Sequence, residues 1–167
     1  PQASVIGPMA EVVFRSTQYL SDADARAMAV YLQALPQHAA TPAKQAVAPA
    51  SVMERGAKVY EAQCAQCHGA QGQGAKDEAG QPAFPPLAGN RAVVLADPTN
   101  LVRVVLQGGY LPATAGNPRP HGMPPFQHLL GDEDVAAVAT FVRNSWGNQA
   151  AGVGTIEVYR ARERRSP

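Results

Sequence analysis

The amino-acid sequence predicts an all-α fold in which short amphipathic helices are joined by irregular connections. Three observations carry this expectation. Apolar residues recur at helical spacing in several stretches, each opened by a polar cap or an acidic first turn. Fifteen glycines and fifteen prolines among 167 residues break the chain between those stretches. The only two cysteines, Cys64 and Cys67, follow directly on one of the helical stretches. Hydrophobic residues make up 46 % of the chain and charged residues 16 %, so a folded core is expected rather than disorder. The length allows one ordinary domain with extra segments, or two very small domains. A formal net charge of +1 gives no bulk electrostatic reason for a nucleic-acid partner. No run approaches the ~18 consecutive apolar residues that cross a bilayer. Residues 1–10 have no basic region followed by an apolar stretch, and the first residue is not Met. A processed or truncated product is therefore expected.

Taken in order, the first helical pattern runs from Ser21 to Leu32, with Asp22 and Asp24 at its start. The Ala- and Pro-rich interval that follows reads as a linker over residues 37–50. Ser51-Val52-Met53-Glu54 has the form of a capping box, and Val52, Ala57, Val59 and Tyr60 continue at partly helical spacing. A helix over about 52–62 is expected to deliver Cys64 at its end. Asp97-Pro98 opens another helix with a cap and a first-turn proline, with Leu101, Val104 and Val105 as its apolar face and Gly108-Gly109 as its stop. Gly131-Asp132-Glu133-Asp134 begins a further helix whose buried stripe is Val135, Val138, Phe141 and Val142, set to cross the 52–62 helix. The last residues, 150–167, carry Arg160, Arg162, Arg164 and Arg165 and read as a disordered or partner-contacting tail.

The chemistry concentrates in Cys64-Ala65-Gln66-Cys67-His68. The spacing C-x-x-C-H is that of a haem attachment site: two thiols on one helical turn both reach the vinyl groups of one porphyrin, and the adjacent imidazole falls under the iron. A redox dithiol normally follows a strand in a βαβ unit, which is lacking here. A zinc site needs two further ligands, available only from an unusual arrangement of His38, His121 and His128. One covalently bound haem c is thus the expected cofactor, with His68 as an axial ligand of its iron. The sixth ligand is expected to be Met123, in the proline-stiffened run Arg119-Pro120-His121-Gly122-Met123-Pro124-Pro125-Phe126. His121 and His128 are its competitors.

A helix, then C-x-x-C-H, then the glycine-rich Gly69, Gly72 and Gly74 resembles the beginning of the small class I cytochromes c. That resemblance implies that the loop Ala83-Phe84-Pro85-Pro86-Leu87-Ala88-Gly89-Asn90-Arg91 passes beneath the His68 side of the haem. It implies further that the Pro86 carbonyl accepts the free ring N–H of His68, that Leu87 packs on the porphyrin, and that Arg91 pairs with a propionate. A solvated charge at a helix start is the plain alternative for Arg91.

Residues 21–32 repeat the pattern of 131–142: Asp22, Asp24 and Tyr31 match Asp132, Asp134 and Phe141 at one constant offset. Upstream, Gly7-Pro8-Met9 stands where a second methionine loop would stand. Residues 1–36 are therefore read as the C-terminal remnant of a preceding haem domain, 37–50 as linker, 51–149 as the cytochrome c domain and 150–167 as tail. With no second C-x-x-C-H, Met9 has no iron to bind in this chain.

The runs Pro85–Arg91, Gly108-Gly109-Tyr110-Leu111-Pro112-Ala113-Thr114, Gly122–Phe126 and Arg143-Asn144-Ser145-Trp146-Gly147-Asn148 resemble a particular domain. It is the third haem domain of the three-haem cytochrome c subunit of bacterial membrane-bound dehydrogenases: flavin-dependent glucose, gluconate, sorbitol and fructose dehydrogenases and quinoprotein alcohol dehydrogenase. The resemblance implies an electron-transfer subunit with no catalysis of its own. Its implied partners are an FAD-dependent, glucose-type catalytic subunit with its small subunit, and a quinone or other acceptor. The implied location is the periplasmic side of the bacterial cytoplasmic membrane, with membrane association in the full-length protein. The departure is that only one haem motif is present. The rival readings are a free soluble periplasmic mono-haem shuttle, and a sensor or enzyme with an open iron position.

Overall fold

A computed structural model of the chain describes residues 4–36, 48–76, 78, 80 and 82–163. The elements in chain order are helices α1 (Pro8–Arg15), α2 (Asp22–Ala34), α3 (Ala50–Gln63) and α4 (Ala65–His68), strands β1 (Ala75–Lys76) and β2 (Pro82–Phe84), helix α5 (Thr99–Gln107), strands β3 (Gly109–Tyr110) and β4 (Gly122–Met123), and helices α6 (Asp132–Asn144) and α7 (Thr155–Glu163). A 3-10 turn, Thr17–Tyr19, follows α1. The architecture is all-α, with two short antiparallel pairs, β1 with β2 and β3 with β4, pinning loops rather than forming a core sheet.

The α3–α6 crossing organises the cytochrome region. A Cβ built on Gly56 would lie 2.3 Å from the Ala137 carbonyl oxygen and 2.6 Å from Phe141 Cβ, so only glycine lets the two backbones approach this closely. Tyr60 continues the contact one turn later, its ring 5.5 Å from Phe141 and 4.9 Å from Trp146. At the outer end Arg55 spans to Glu133 and Asp134, pairing α3 with the acidic first turn of α6. Two apolar clusters flank this crossing. One gathers Val102 and Leu106 of α5, Phe126 and Leu130 of the turn before α6, Val135 and Ala139 of α6, and Val158 and Ala161 of α7. The other joins Tyr60, Val93, Val138 and Val142, with Cys64, Leu87 and Trp146 packed against it.

Three expectations change. α3 begins at Ala50, with Pro49 as its N-cap; Ser51 lies inside the first turn and is not a capping side chain. The Pro49 carbonyl accepts from Val52 and Met53, and a residue with fixed φ leads the helix in without needing a side-chain cap. α6 is buried far beyond the expected stripe, because α3 and α7 both pack on it. The segment expected to be a tail is, over Thr155–Glu163, a helix of the core: Val158 is 0 % exposed, and Arg162 donates to Asp132 and to the Gln127 and Leu130 carbonyls. Arg164 and Arg165 lie outside the described residues, as do His38 and most of the expected linker; its last residue, Ala50, already belongs to α3.

The N-terminal helices differ in kind. α2 has a well-made start, with the Ser21 hydroxyl oxygen accepting from the Asp24 N–H at 3.1 Å and its O–H donating to the Asp24 carboxylate at 2.6 Å. Yet Met28, Tyr31 and Leu32 are 52 %, 66 % and 58 % exposed. Contact with the cytochrome region is made by the segment before α1: Asn90 Nδ2 donates to Ser4 Oγ at 3.1 Å, and Ile6 lies beside Gly109.

Candidate functional site

Cys64 ends α3 and begins α4, so its carbonyl accepts from both Cys67 and His68, at 3.2 and 2.9 Å. The motif is thereby wound into one helical turn with both thiols free and half-buried. Gly69, at φ +78, stops the turn, and its carbonyl accepts from Tyr60 Oη at 2.6 Å. The turn is thus tied to α3 on both sides. Burial, and secondarily the neighbouring Cys67, pushes the Cys64 thiol up to about 11. Redox dithiols and thiolate metal sites instead depress such a thiol. Among the described residues no group of three or more His, Cys, Asp or Glu is arranged to hold a metal ion.

His68 is 9 % exposed, and burial lowers its pKa, with the Pro85 carbonyl opposing that shift. Its Nδ1 lies 2.9 Å from the Pro85 carbonyl oxygen. A carbonyl only accepts, so the ring proton sits on Nδ1 and the lone pair on Nε2 is left for a metal. The expected acceptor was the carbonyl of Pro86, and here the structure corrects the register by one residue. The Pro86 carbonyl turns to Asn90 Nδ2 instead, at 2.9 Å. Leu87 is half-buried against the cluster that contains Tyr60 and Cys64, and Arg91 is exposed at the surface.

Met123 closes the short β3–β4 pair opposite Gly109 and packs, half-buried, on the cluster of Val102, Leu106 and Phe126. With Gln107, Tyr110, Pro124 and Pro125 it lines an open pocket. Its histidine competitors are displaced to the surface: His121 stacks on Phe84 with ring centroids 4.8 Å apart, and His128 is exposed in the turn before α6. The Phe84–His121 stack joins the loop that serves His68 to the loop that carries Met123.

Several residues with structural roles carried no role in the sequence reading. Trp146, at φ +54, lays its ring over Gly72, where a Cβ would come within 2.4 Å of it. Asn148 binds the Leu87 and Val142 carbonyls through Nδ2 and the Gly89 N–H through Oδ1. Arg143 is 1 % exposed and donates to the Val93, Leu95 and Ala151 carbonyls, and burial lowers its pKa. Their signal was the unusual run Arg143–Asn148, specific in composition but silent as to contacts.

The residues present fit a covalently attached haem: two free thiols on one turn, and an imidazole whose Nδ1 is already committed to a carbonyl. The family model described as Cytochrome c matches residues 53–146. The chain is 38 % identical to the cytochrome c subunit of alcohol dehydrogenase (quinone) from Gluconobacter oxydans (strain 621H), over 99 % of this chain and 35 % of that protein. It is 35 % identical to the gluconate 2-dehydrogenase cytochrome c subunit of Pantoea cypripedii, over 92 % of this chain and 36 % of the relative. It is 32 % identical to the fructose dehydrogenase cytochrome subunit of Gluconobacter japonicus, over 96 % and 37 %. The chain therefore spans little more than a third of the length of these relatives. On the fold, the motif and the match together, this chain belongs to the cytochrome c family, with a class I-like helical fold and haem c as its covalently bound cofactor.

Proposed function

We propose that this chain is the haem-bearing, electron-transferring part of a cytochrome c subunit of a membrane-bound dehydrogenase. The observation that carries this is the extent of the match. It runs over 99 % of the chain, N-terminal helices included, whereas the cytochrome model alone accounts for residues 53–146. The matched N-terminal helices α1 and α2 argue against a free mono-haem shuttle.

Haem c supplies one-electron cycling of its iron. The chain's residues attach and orient it. Cys64 and Cys67 would hold it through two thioether links, and His68 Nε2 and Met123 Sδ would ligate its iron. Leu87 would pack on the porphyrin, and the exposed Arg91 would pair with a propionate. Thioether ligation of the iron would raise its potential and so favour uptake of electrons from a reduced flavin. A two-electron donor is discharged in two turns. The partners we propose are an FAD-dependent, glucose-type catalytic subunit with its small subunit on one side and quinone or another acceptor on the other. The location is the periplasmic face of the cytoplasmic membrane. The described residues contain no helix long and apolar enough to cross a membrane. Residues 1–36 are, in this reading, the end of a preceding haem domain. Met9, on the exposed first helix, is left without a role in this chain.

Mixing the holoprotein anaerobically with substrate-reduced glucose-, gluconate-, fructose- and alcohol-type catalytic subunits tests the proposal. Haem reduction by a flavoprotein at its turnover rate is expected. Reduction by none of them, with fast exchange with a soluble cytochrome, would point to the shuttle instead.

A further inference from the structure

The hydrogen bond from His68 Nδ1 to the Pro85 carbonyl depends on a loop that is anchored largely from outside. Neither Pro85 nor Pro86 has an amide hydrogen, so this dipeptide donates nothing to its surroundings. Within the loop the Pro86 carbonyl accepts from Asn90 Nδ2 at 2.9 Å, and the residues between tie the segment to the rest of the protein. Leu87 and Ala88 donate their N–H groups to the Gly72 carbonyl at 2.7 and 2.9 Å. The Leu87 carbonyl accepts from Asn148 Nδ2 at 3.0 Å, and the Gly89 N–H donates to Asn148 Oδ1 at 2.9 Å. A third bond, from Asn148 Nδ2 to the Val142 carbonyl at 2.8 Å, ties this side chain to the last turn of α6. Asn148 is 5 % exposed and both its donors and its acceptor are used.

The backbone around Asn148 is built for that grip. Its N–H closes a turn on the Ser145 carbonyl at 2.9 Å, and inside that turn Trp146 adopts φ +54 and covers Gly72. One turn at the end of α6 therefore holds both sides of the circuit: Gly72 through the indole, and Leu87 to Gly89 through the amide.

Resting on His68 as an iron ligand, we infer that Asn148 is a positioning residue that keeps the Pro85 carbonyl on the His68 ring and so sets the reduction potential. A well-placed acceptor on Nδ1–H enriches Nε2 in electron density and favours ferric iron. Loosening it makes the imidazole a poorer donor and raises the potential.

The test compares holoprotein variants Asn148→Ala and Thr140→Val by redox titration, thermal unfolding and the paramagnetically shifted His68 ring resonances. Thr140 Oγ1 exchanges two hydrogen bonds with Val153, away from the loop, and serves as the purely structural control. Both variants are expected to unfold at lower temperature. Only Asn148→Ala is expected to raise the potential and shift the His68 resonances. An Asn148→Ala potential that is unchanged, lowered, or moved no more than in Thr140→Val overturns the inference. Where Asn148→Ala does not accumulate with haem, Asn148→Ser is measured with the same two outcomes. Failure of the His68 assignment is distinguishable, because the wild-type protein would then lack a six-coordinate c-type spectrum.

Discussion

α2 and α6 carry the same pattern and lead opposite lives. Each opens with an acidic first turn, Asp22 and Asp24 in one and Asp132, Glu133 and Asp134 in the other. Each places an aromatic at the matching position, Tyr31 and Phe141. α6 is covered by α3 on one side and α7 on the other, whereas α2 has no buried residue at all. Periodicity therefore states which face a helix offers, and the rest of the chain decides whether anything takes it. For α6 the deciding features are Gly56, which admits the close crossing, and Arg55, which meets the acidic turn. Nothing among the described residues does this for α2.

Changes to the covered helix should be severe and changes to the uncovered one mild. The largest effect is expected from Gly56→Val, whose side chain has no room against the Ala137 backbone. It should destabilise the holoprotein by about 3 kcal/mol or more, seen as a large drop in unfolding temperature. Phe141→Ala should destabilise by about 2–4 kcal/mol, while Tyr31→Ala should stay within about 0.5 kcal/mol in this chain. A Tyr31→Ala effect as large as that of Phe141→Ala would mean that α2 is packed after all. Deleting residues 155–167 should remove about 3 kcal/mol, chiefly the burial of Val158 and Ala161, where loss of a mere tail would leave stability unchanged.

A further effect is a pH slope. Burial pushes the Tyr60 phenol up to about 12 from its ordinary 10.0. The neutral form is favoured in the folded state, so this contribution is intact below pH 10 and is lost as pH rises from 10 towards 12. It amounts to about 2–3 kcal/mol at most. Tyr60→Phe should flatten that alkaline slope while losing about 1 kcal/mol at neutral pH with the bond to Gly69.

The attachment motif was legible because covalent chemistry demands Cys64, Cys67 and His68 at that spacing, whatever surrounds them. The helices with dense apolar stripes were legible as well. The acceptor for His68 was missed by one residue because two adjacent prolines look alike in sequence. Which carbonyl faces the ring is decided by Gly72 and Asn148, distant along the chain. α7 was unreadable for another reason: most of its residues are polar or exposed, and only Val158 and Ala161 are buried. Its burial depends on the groove that α5 and α6 present. Arg143 belongs to the same class, a cation in a buried stripe, made tolerable by the three carbonyls that receive it.

In the proposed function Cys64 and Cys67 would hold a haem whose iron His68 and Met123 ligate. The visible spectrum of the oxidised and reduced protein, made in a host with haem-attachment machinery, tests it most directly. A sharp c-type spectrum with the weak red band of iron–thioether ligation is expected, the band being lost in Met123→Ala. A colourless protein, or a red one whose haem extracts into acid acetone, would contradict it.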